Sequence, residues 1–229
     1  MTAASLRARV RAEMVEEIKS VARRHLAADG SNLSLRAVAR DMGMVSSALY
    51  RYFGSRDELL TALITDAYNA LGDAVEAADA ALTDRADLRG RWLGIAHGVR
   101  TWALDNRSEY ALIFGSPVPG YVAPLETSRA AVRTPRALVR ILADGLAGGV
   151  IRPLEQADLP EPLQPDLARL RAEEFPDVPE ALLARGTVGW IHLFGAVSFE
   201  IFGQLNNVIN EREEYFDYQM QLMAELIGA

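Results

Sequence analysis

The side chains best suited by type and spacing to a chemical task lie between Ser34 and Phe53. A short helix is predicted over Leu35–Met42, with Ser34 as its N-cap, and it stops at Gly43. A second is predicted over about Ser46–Phe53 and ends at Gly54. Along it Val45, Leu49 and Phe53 recur every four residues and would form one inward face. Ser47 and Arg51 then point the opposite way, with Ala48 and Tyr50 on the flanks and Tyr52 nearer the core edge. That outward face is small, hydroxylated, aromatic and cationic. An arginine can fork onto guanine O6 and N7, and a serine can bond a base edge or a phosphate. Tyrosine hydroxyls bond phosphates and so position a protein without reading sequence. Two short helices around a tight turn allow the second to enter a major groove.

The flanking elements must hold this pair in place. Val10, Met14, Ile18, Val21 and Leu26 recur at helical spacing up to Gly30, which suits a left-handed C-terminal cap. Ser55-Arg-Asp-Glu58 is a capping box that opens a long helix through Leu59, Leu60, Leu63, Ile64, Ala67 and Leu71. Further helices are expected at about 88–105, 107–115, 135–147, 180–204 and 211–227, and nothing alternates as a strand would. The fold class is all-α, divided as a helix-turn-helix domain over 1–58 and a larger helical domain over 59–229. Six of the ten prolines lie between Pro153 and Pro179 among many acids, which reads as a loop or interrupted helix, either a connector or a lid.

Residue by residue the N-terminal part resembles the TetR family of bacterial transcriptional regulators. The matching string is Ile18-Lys-Ser-Val-Ala-Arg-Arg-His-Leu through Gly30, then Ser34-Leu-Arg-Ala-Val-Ala-Arg-Asp-Met-Gly-Met-Val-Ser, then Leu49-Tyr-Arg-Tyr-Phe-Gly-Ser-Arg-Asp-Glu-Leu-Leu. The family pattern ends Leu-Tyr-x-His/Tyr-Phe-x-x-Lys-x-x-Leu. Arg56 stands where lysine is usual, which keeps the charge and changes its shape. The resemblance implies a homodimer on a palindromic double-stranded operator. Ser46, Ser47, Tyr50, Arg51, Tyr52 and Arg56 would be its DNA contacts, joined by Ser34 and Arg36 from the preceding helix. For Tyr52 the alternative is packing against the first helix. Arg7, Arg9 and Arg11 precede the first apolar stripe and read either as a phosphate-binding arm or as a disordered terminus.

The resemblance also implies that the remainder binds a small-molecule effector and dimerises. Arg91-Trp92, His97-Gly98, Trp102, Tyr110, Trp190 and Phe194-Gly195 look like one TetR C-terminal subgroup. Gly186–Gly203 is apolar nearly all round, so it must be covered on all sides. Val197 and Ile201 on that helix, with Phe216, Met220, Met223 and Ile227 on the last one, are read as the dimer interface, the alternative being one large monomer core. Trp92, His97, Trp102, Tyr110, Phe114, Trp190 and Phe194 are read as an effector pocket or as plain core; His192, Asn106 and Glu200 are its other polar candidates.

Other functions are argued against by what the chain lacks. It contains no cysteine among 229 residues, so disulfide, thiolate-metal and cysteine-nucleophile chemistry are closed to it. The residues three before its histidines are Ala22, Gly94 and Gly189, so no Glu-x-x-His di-metal motif exists. There is neither a Gly-x-Ser-x-Gly elbow nor a Walker loop. No metal, no cofactor and no enzymatic activity are expected. The charge-free run Gly186–Phe199 is shorter than the about 20 residues a bilayer span needs, and no signal-peptide pattern opens the chain. No membrane partner and a cytoplasmic location are therefore expected. The net charge of −7 argues against nucleic acid until it is divided. Residues 1–58 hold ten basic and seven acidic side chains; the rest hold fourteen and twenty-four. The rival function is a helical ligand carrier or adaptor without DNA binding, which predicts loss of the Ser47/Arg51 face; that face is intact.

Overall fold

Ile18, Val21, Ala22 and Leu26 fall on one stripe and are buried, and they turn helix α1 (Ala3–Asp29) toward α2 (Leu35–Asp41) and α6 (Arg107–Phe114). The computed structural model describes residues 3–29, 33–152 and 159–229. The cap expected at Gly30 and the start of the proline-rich stretch, 153–158, lie outside the described residues. Among the described residues the regular structure is helical throughout, with no strand. The other helices are α3 (Ser46–Leu49), α4 (Arg56–Ala81), α5 (Leu88–Asp105), α7 (Leu125–Ala131), α8 (Arg133–Ala147), α9 (Gln164–Glu174), α10 (Glu180–Ile201) and α11 (Arg212–Ile227).

The chain forms two compact units, one of residues 1–70 and 106–131, the other of 71–105 and 132–229. The boundary expected after residue 58 lies inside the first turn of α4, whereas the units part further along that helix. Residues 106–131 also belong with the N-terminal unit. The reason is visible in its core. Leu112, Val118 and Tyr121 pack against the cluster of Ile18, Leu35, Val38, Leu49, Phe53, Leu59 and Leu63, and Tyr121 and Thr61 share a hydroxyl hydrogen bond of 2.9 Å. Lys19 Nζ and Arg23 Nη2 both donate to Asp66 Oδ2, at 2.7 and 2.9 Å, and clamp α1 to α4.

The second unit is built on α5, α8, α10 and α11. Trp92, Ile95, Val99, Ile141, Leu142, Leu193, Val197, Phe216, Met220 and Ile227 are buried there. The indole N–H of Trp92 donates to the Met220 carbonyl at 2.8 Å, which satisfies the one polar atom of a buried ring. Gly189 lets α10 close on this ring: a Cβ there would meet Ile227 Cγ2 at 3.0 Å and Trp92 Cη2 at 3.4 Å.

Two parts of the proline-rich reading change. The stretch contains a 3-10 turn, Glu161–Leu163, and the regular helix α9. Pro165 sits in the first turn of α9, where a missing N–H costs nothing, so it starts the helix rather than interrupting it. The short α7 carried no apolar period to announce it, since Leu125 at its start is 85% exposed. α10, with 22 residues, has the length and composition to cross a membrane. Within this unit it packs against α5, α8, α9 and α11.

Candidate nucleic-acid interface

Ser34 has extended backbone and its Oγ accepts from the Ala37 N–H at 3.4 Å, which starts α2 where its sequence predicted. Gly43 closes the turn with φ 66°, a value that favours glycine. α3 is shorter than expected. It spans only Ser46–Leu49, and residues 50–52 continue as turns whose N–H groups bond back to Ser46, Ala48 and Leu49. This corrects the inward face read from the sequence. Leu49 and Phe53 are buried, but Val45 is 71% exposed. Val45 is the extended N-cap of α3, so the four-residue period does not reach it.

The outward set is presented as the spacing requires. Ser47, Tyr50 and Arg51 are exposed, Ser46 is half-buried, and Arg36 is exposed on α2. Tyr52 packs partly against the core, as its alternative reading had it. Arg11, on α1, holds this segment through two contacts. Its Nη2 donates to the Arg51 carbonyl at 3.2 Å, and its guanidinium lies 5.1 Å from the centre of the Tyr52 ring. Arg56 Nε donates to the Leu33 carbonyl at 3.0 Å, so this side chain ties the start of α4 to the entry of α2.

The capping box forms with one shift. Ser55 Oγ accepts from the Glu58 N–H at 3.1 Å, while the Glu58 carboxylate accepts from Gly54 N–H at 2.7 Å, one residue before the reciprocal partner. Ser55→Ala is expected to cost about 1 kcal/mol of stability, read by denaturant unfolding. A midpoint that does not move would mean that solvent replaces the cap.

The second unit distributes the other sequence-read residues differently. Val197, Phe216, Met220 and Ile227 are buried within the protomer at 0–3% exposure, and Ile201 and Met223 are half-buried. Their seam therefore joins α10, α11 and α5 of one chain. The exposed apolar residues are instead Val188, Trp190, Ile191 and Phe199 on α10, Phe202 at its C-cap, and Tyr215, Tyr218, Leu222 and Leu226 on α11. The signal was available: 188, 191, 195, 199 and 202 also repeat at helical spacing, but spacing does not say which stripe faces inward. Gly195 lies on that outer stripe, and a Cβ there would meet nothing within 4 Å.

The seven pocket candidates fall in both units. Trp92, His97, Trp102, Trp190 and Phe194 belong to the second, whereas Tyr110 and Phe114 belong to the first, with ring centres 5.0 Å apart and Tyr68 at 6.1 Å from Phe114. Trp190 is 37% exposed and Phe194 is buried, at 6.1 Å between centroids. His97 Nε2 lies 2.8 Å from Asp217 Oδ1, and its ring meets the Phe216 ring edge-on. Glu200 does not pair with His192 on its own helix. It accepts both Arg100 Nε and Nη2, at 2.8 and 2.9 Å. His192 Nε2 is buried with no hydrogen-bond partner among the described residues.

A three-helix head with a capped α2, a glycine turn and an outward Ser-Tyr-Arg face is a helix-turn-helix DNA-binding domain. Comparison with known proteins agrees. Residues 18–63 match the bacterial regulatory proteins of the tetR family, and residues 92–223 match the tetracyclin repressor-like C-terminal domain. The HTH-type transcriptional regulator Rv1816 of Mycobacterium tuberculosis is 39% identical over 227 residues, covering 95% of this chain and 94% of its own. Mb1846 of Mycobacterium bovis matches to the same extent. The crystal structure of SCO4313, described as a regulatory protein, is 35% identical with a TM-score of 0.78, over 95% of this chain and 98% of that one. PfmR of Thermus thermophilus, a TetR family regulator, shares the fold at 19% identity and a TM-score of 0.58, over 92% and 96% of the chains. The chain belongs to the TetR family of transcriptional regulators, which are not enzymes.

Proposed function

We propose that the protein is a cytoplasmic repressor. Two copies hold their recognition segments on a palindromic operator, about 34–36 Å apart, one in each of two successive major grooves. A small-molecule effector in the helical unit then releases the DNA. The observation that carries the DNA reading is the exposed Ser47, Tyr50 and Arg51 surface on a segment braced by Arg11. The exposed stripe of Val188, Ile191, Phe199 and Phe202, with Tyr218, Leu222 and Leu226 beside it on α11, supports the second copy. A run of apolar side chains this long on a regulator is ordinarily covered. Ser34, Arg36, Ser46 and Arg56 complete the proposed DNA contacts, with Tyr52 reaching the backbone from the core edge.

The effector is proposed to bind among the aromatic residues of the helical unit, with His97, Trp102 and Phe194 as its first candidates. The unpartnered, buried Nε2 of His192 supports a polar group on that ligand. Release requires the effector to bind the DNA-free conformation more tightly, and operator DNA must then weaken effector binding by the same factor.

A mobility shift on the DNA flanking its own coding region tests the reading. Arg51→Ala is expected to weaken operator binding by about 1–3 kcal/mol and random DNA by less, the mark of a bidentate base contact. Equal weakening on both duplexes would reassign Arg51 to a phosphate. DNA affinity indifferent to the joint removal of Arg51, Tyr50 and Arg36 would overturn the proposed interface.

A further inference from the structure

The part of α1 that precedes the core buries none of its described side chains. Residues 5–13 are all exposed, Leu6 and Val10 included, and burial begins only at Met14 and Val15. The family's DNA-binding domain matches from residue 18, so this helical extension lies ahead of it. An exposed helical segment is marginal in water unless a partner supports it. Its charge is one-sided: Arg7, Arg9 and Arg11 come before the first acid, Glu13.

The direction of these arginines follows from the helix. Arg7, Arg11, Met14 and Ile18 share one stripe, and its lower half enters the core of the helix-turn-helix. Arg11 is therefore on the side of the recognition segment, where it bonds the Arg51 carbonyl and covers the Tyr52 ring. Arg7 lies one turn further along the same stripe, about 6 Å of helix rise past Arg11. Arg9 lies about 200° around the helix from Arg7, away from that stripe, and pairs with Glu13 at 3.4 Å.

We infer that Arg7 is an additional phosphate-binding residue on duplex DNA beside the groove entered by the recognition segment, and that Arg11 positions that segment. The inference rests on the DNA-binding reading above and extends its footprint beyond residues 18–63. Arginine suits the task because its planar fork matches two phosphate oxygens. The interaction is blind to sequence, so its signature is the salt dependence of binding rather than base discrimination.

The test uses full-length protein and fluorescence anisotropy on two labelled duplexes, one from upstream of its coding region and one of random sequence. Affinity is followed between about 50 and 200 mM salt. The Arg7→Ala variant is expected to keep its melting temperature, since the site is exposed. It should weaken both duplexes by the same factor and flatten the log–log salt slope by about 0.9 for each phosphate no longer neutralised. Arg7→Lys should restore most of that slope. An Arg7→Ala variant with unchanged affinity and slope, when the parent binds and Arg51→Ala impairs it, overturns the inference and leaves the DNA reading standing. A parent that binds neither duplex overturns both.

Discussion

Arg91→Ala is expected to lower folding stability by about 3–5 kcal/mol, the usual loss when one partner of a buried charge network is removed. At about 2–4 °C per kcal/mol for a chain of this size, the melting temperature should fall by roughly 6–20 °C. Arg91 is wholly buried at the centre of four attachments. Its Nε and Nη2 donate to Asp79 on α4 at 2.7 and 3.2 Å, and its Nη1 reaches Asp144 on α8 at 2.8 Å and the Arg85 carbonyl at 3.3 Å. Without it Asp79, a residue 8% exposed, keeps Arg85, at 2.6 Å, as its one charged partner among the described residues. A smaller loss is expected when both charges leave together, because Arg91→Met with Asp79→Leu strands neither.

The same network has a pH signature. Burial pushes the Asp79 carboxyl up, but hydrogen bonds and charge from Arg91 and Arg85 outweigh it and hold the group below its ordinary 3.8. A carboxylate depressed on folding stabilises the fold above its unfolded value, and that share is lost as pH falls through the folded one. The parent and Arg91→Ala should therefore differ fully at neutral pH and converge below about pH 4. A gap that persists unchanged in acid would assign the loss to packing instead of charge.

Ile191→Asp is expected to convert a dimer to monomers and to weaken operator binding by about 10²–10⁴, the range by which linking two modest sites raises affinity. Ile191 is 60% exposed in the protomer, so the fold should be spared. Its neighbours Val188 and Phe199 are comparably exposed, and Gly195 leaves open space between them. Burying an aspartate in that stripe would desolvate a charge with no partner. Sedimentation velocity with anisotropy on the same samples reads both effects. A variant that stays dimeric and binds normally would place the interface elsewhere on the protein.

The helix-turn-helix was legible because its signals are local. The Ser34 cap, the Gly43 turn and the Ser55–Glu58 box each act within one turn of helix, and all three were found within a residue of expectation. Val45 misled because a period of four presumes a helix, and α3 begins one residue after it. α9 was obscured by its prolines, although a proline in the first turn permits a helix. The Arg91 network was not anticipated at all. Asp79 and Asp144 are 12 and 53 residues from Arg91, and nothing in their spacing brings them together.

The proposed DNA-contacting and dimer-forming sets differ in the same way. Ser47, Tyr50 and Arg51 stand out of a segment with one apolar side, so their exposure follows from the sequence. α10 is apolar on several sides, and Val197 and Ile191 are equally plausible inward residues until α5, α8 and α11 are placed. Sequence alone determined the all-helical class, the capped head and the concentration of basic charge upon it, since these depend on residues a few positions apart. Only the tertiary structure decided that residues 106–131 join the head unit, that Phe216 and Met220 face inward, and that Tyr218 and Leu222 face out. Those outcomes depend on which distant helices compete to cover a face, and a helix with more than one apolar stripe carries no preference of its own.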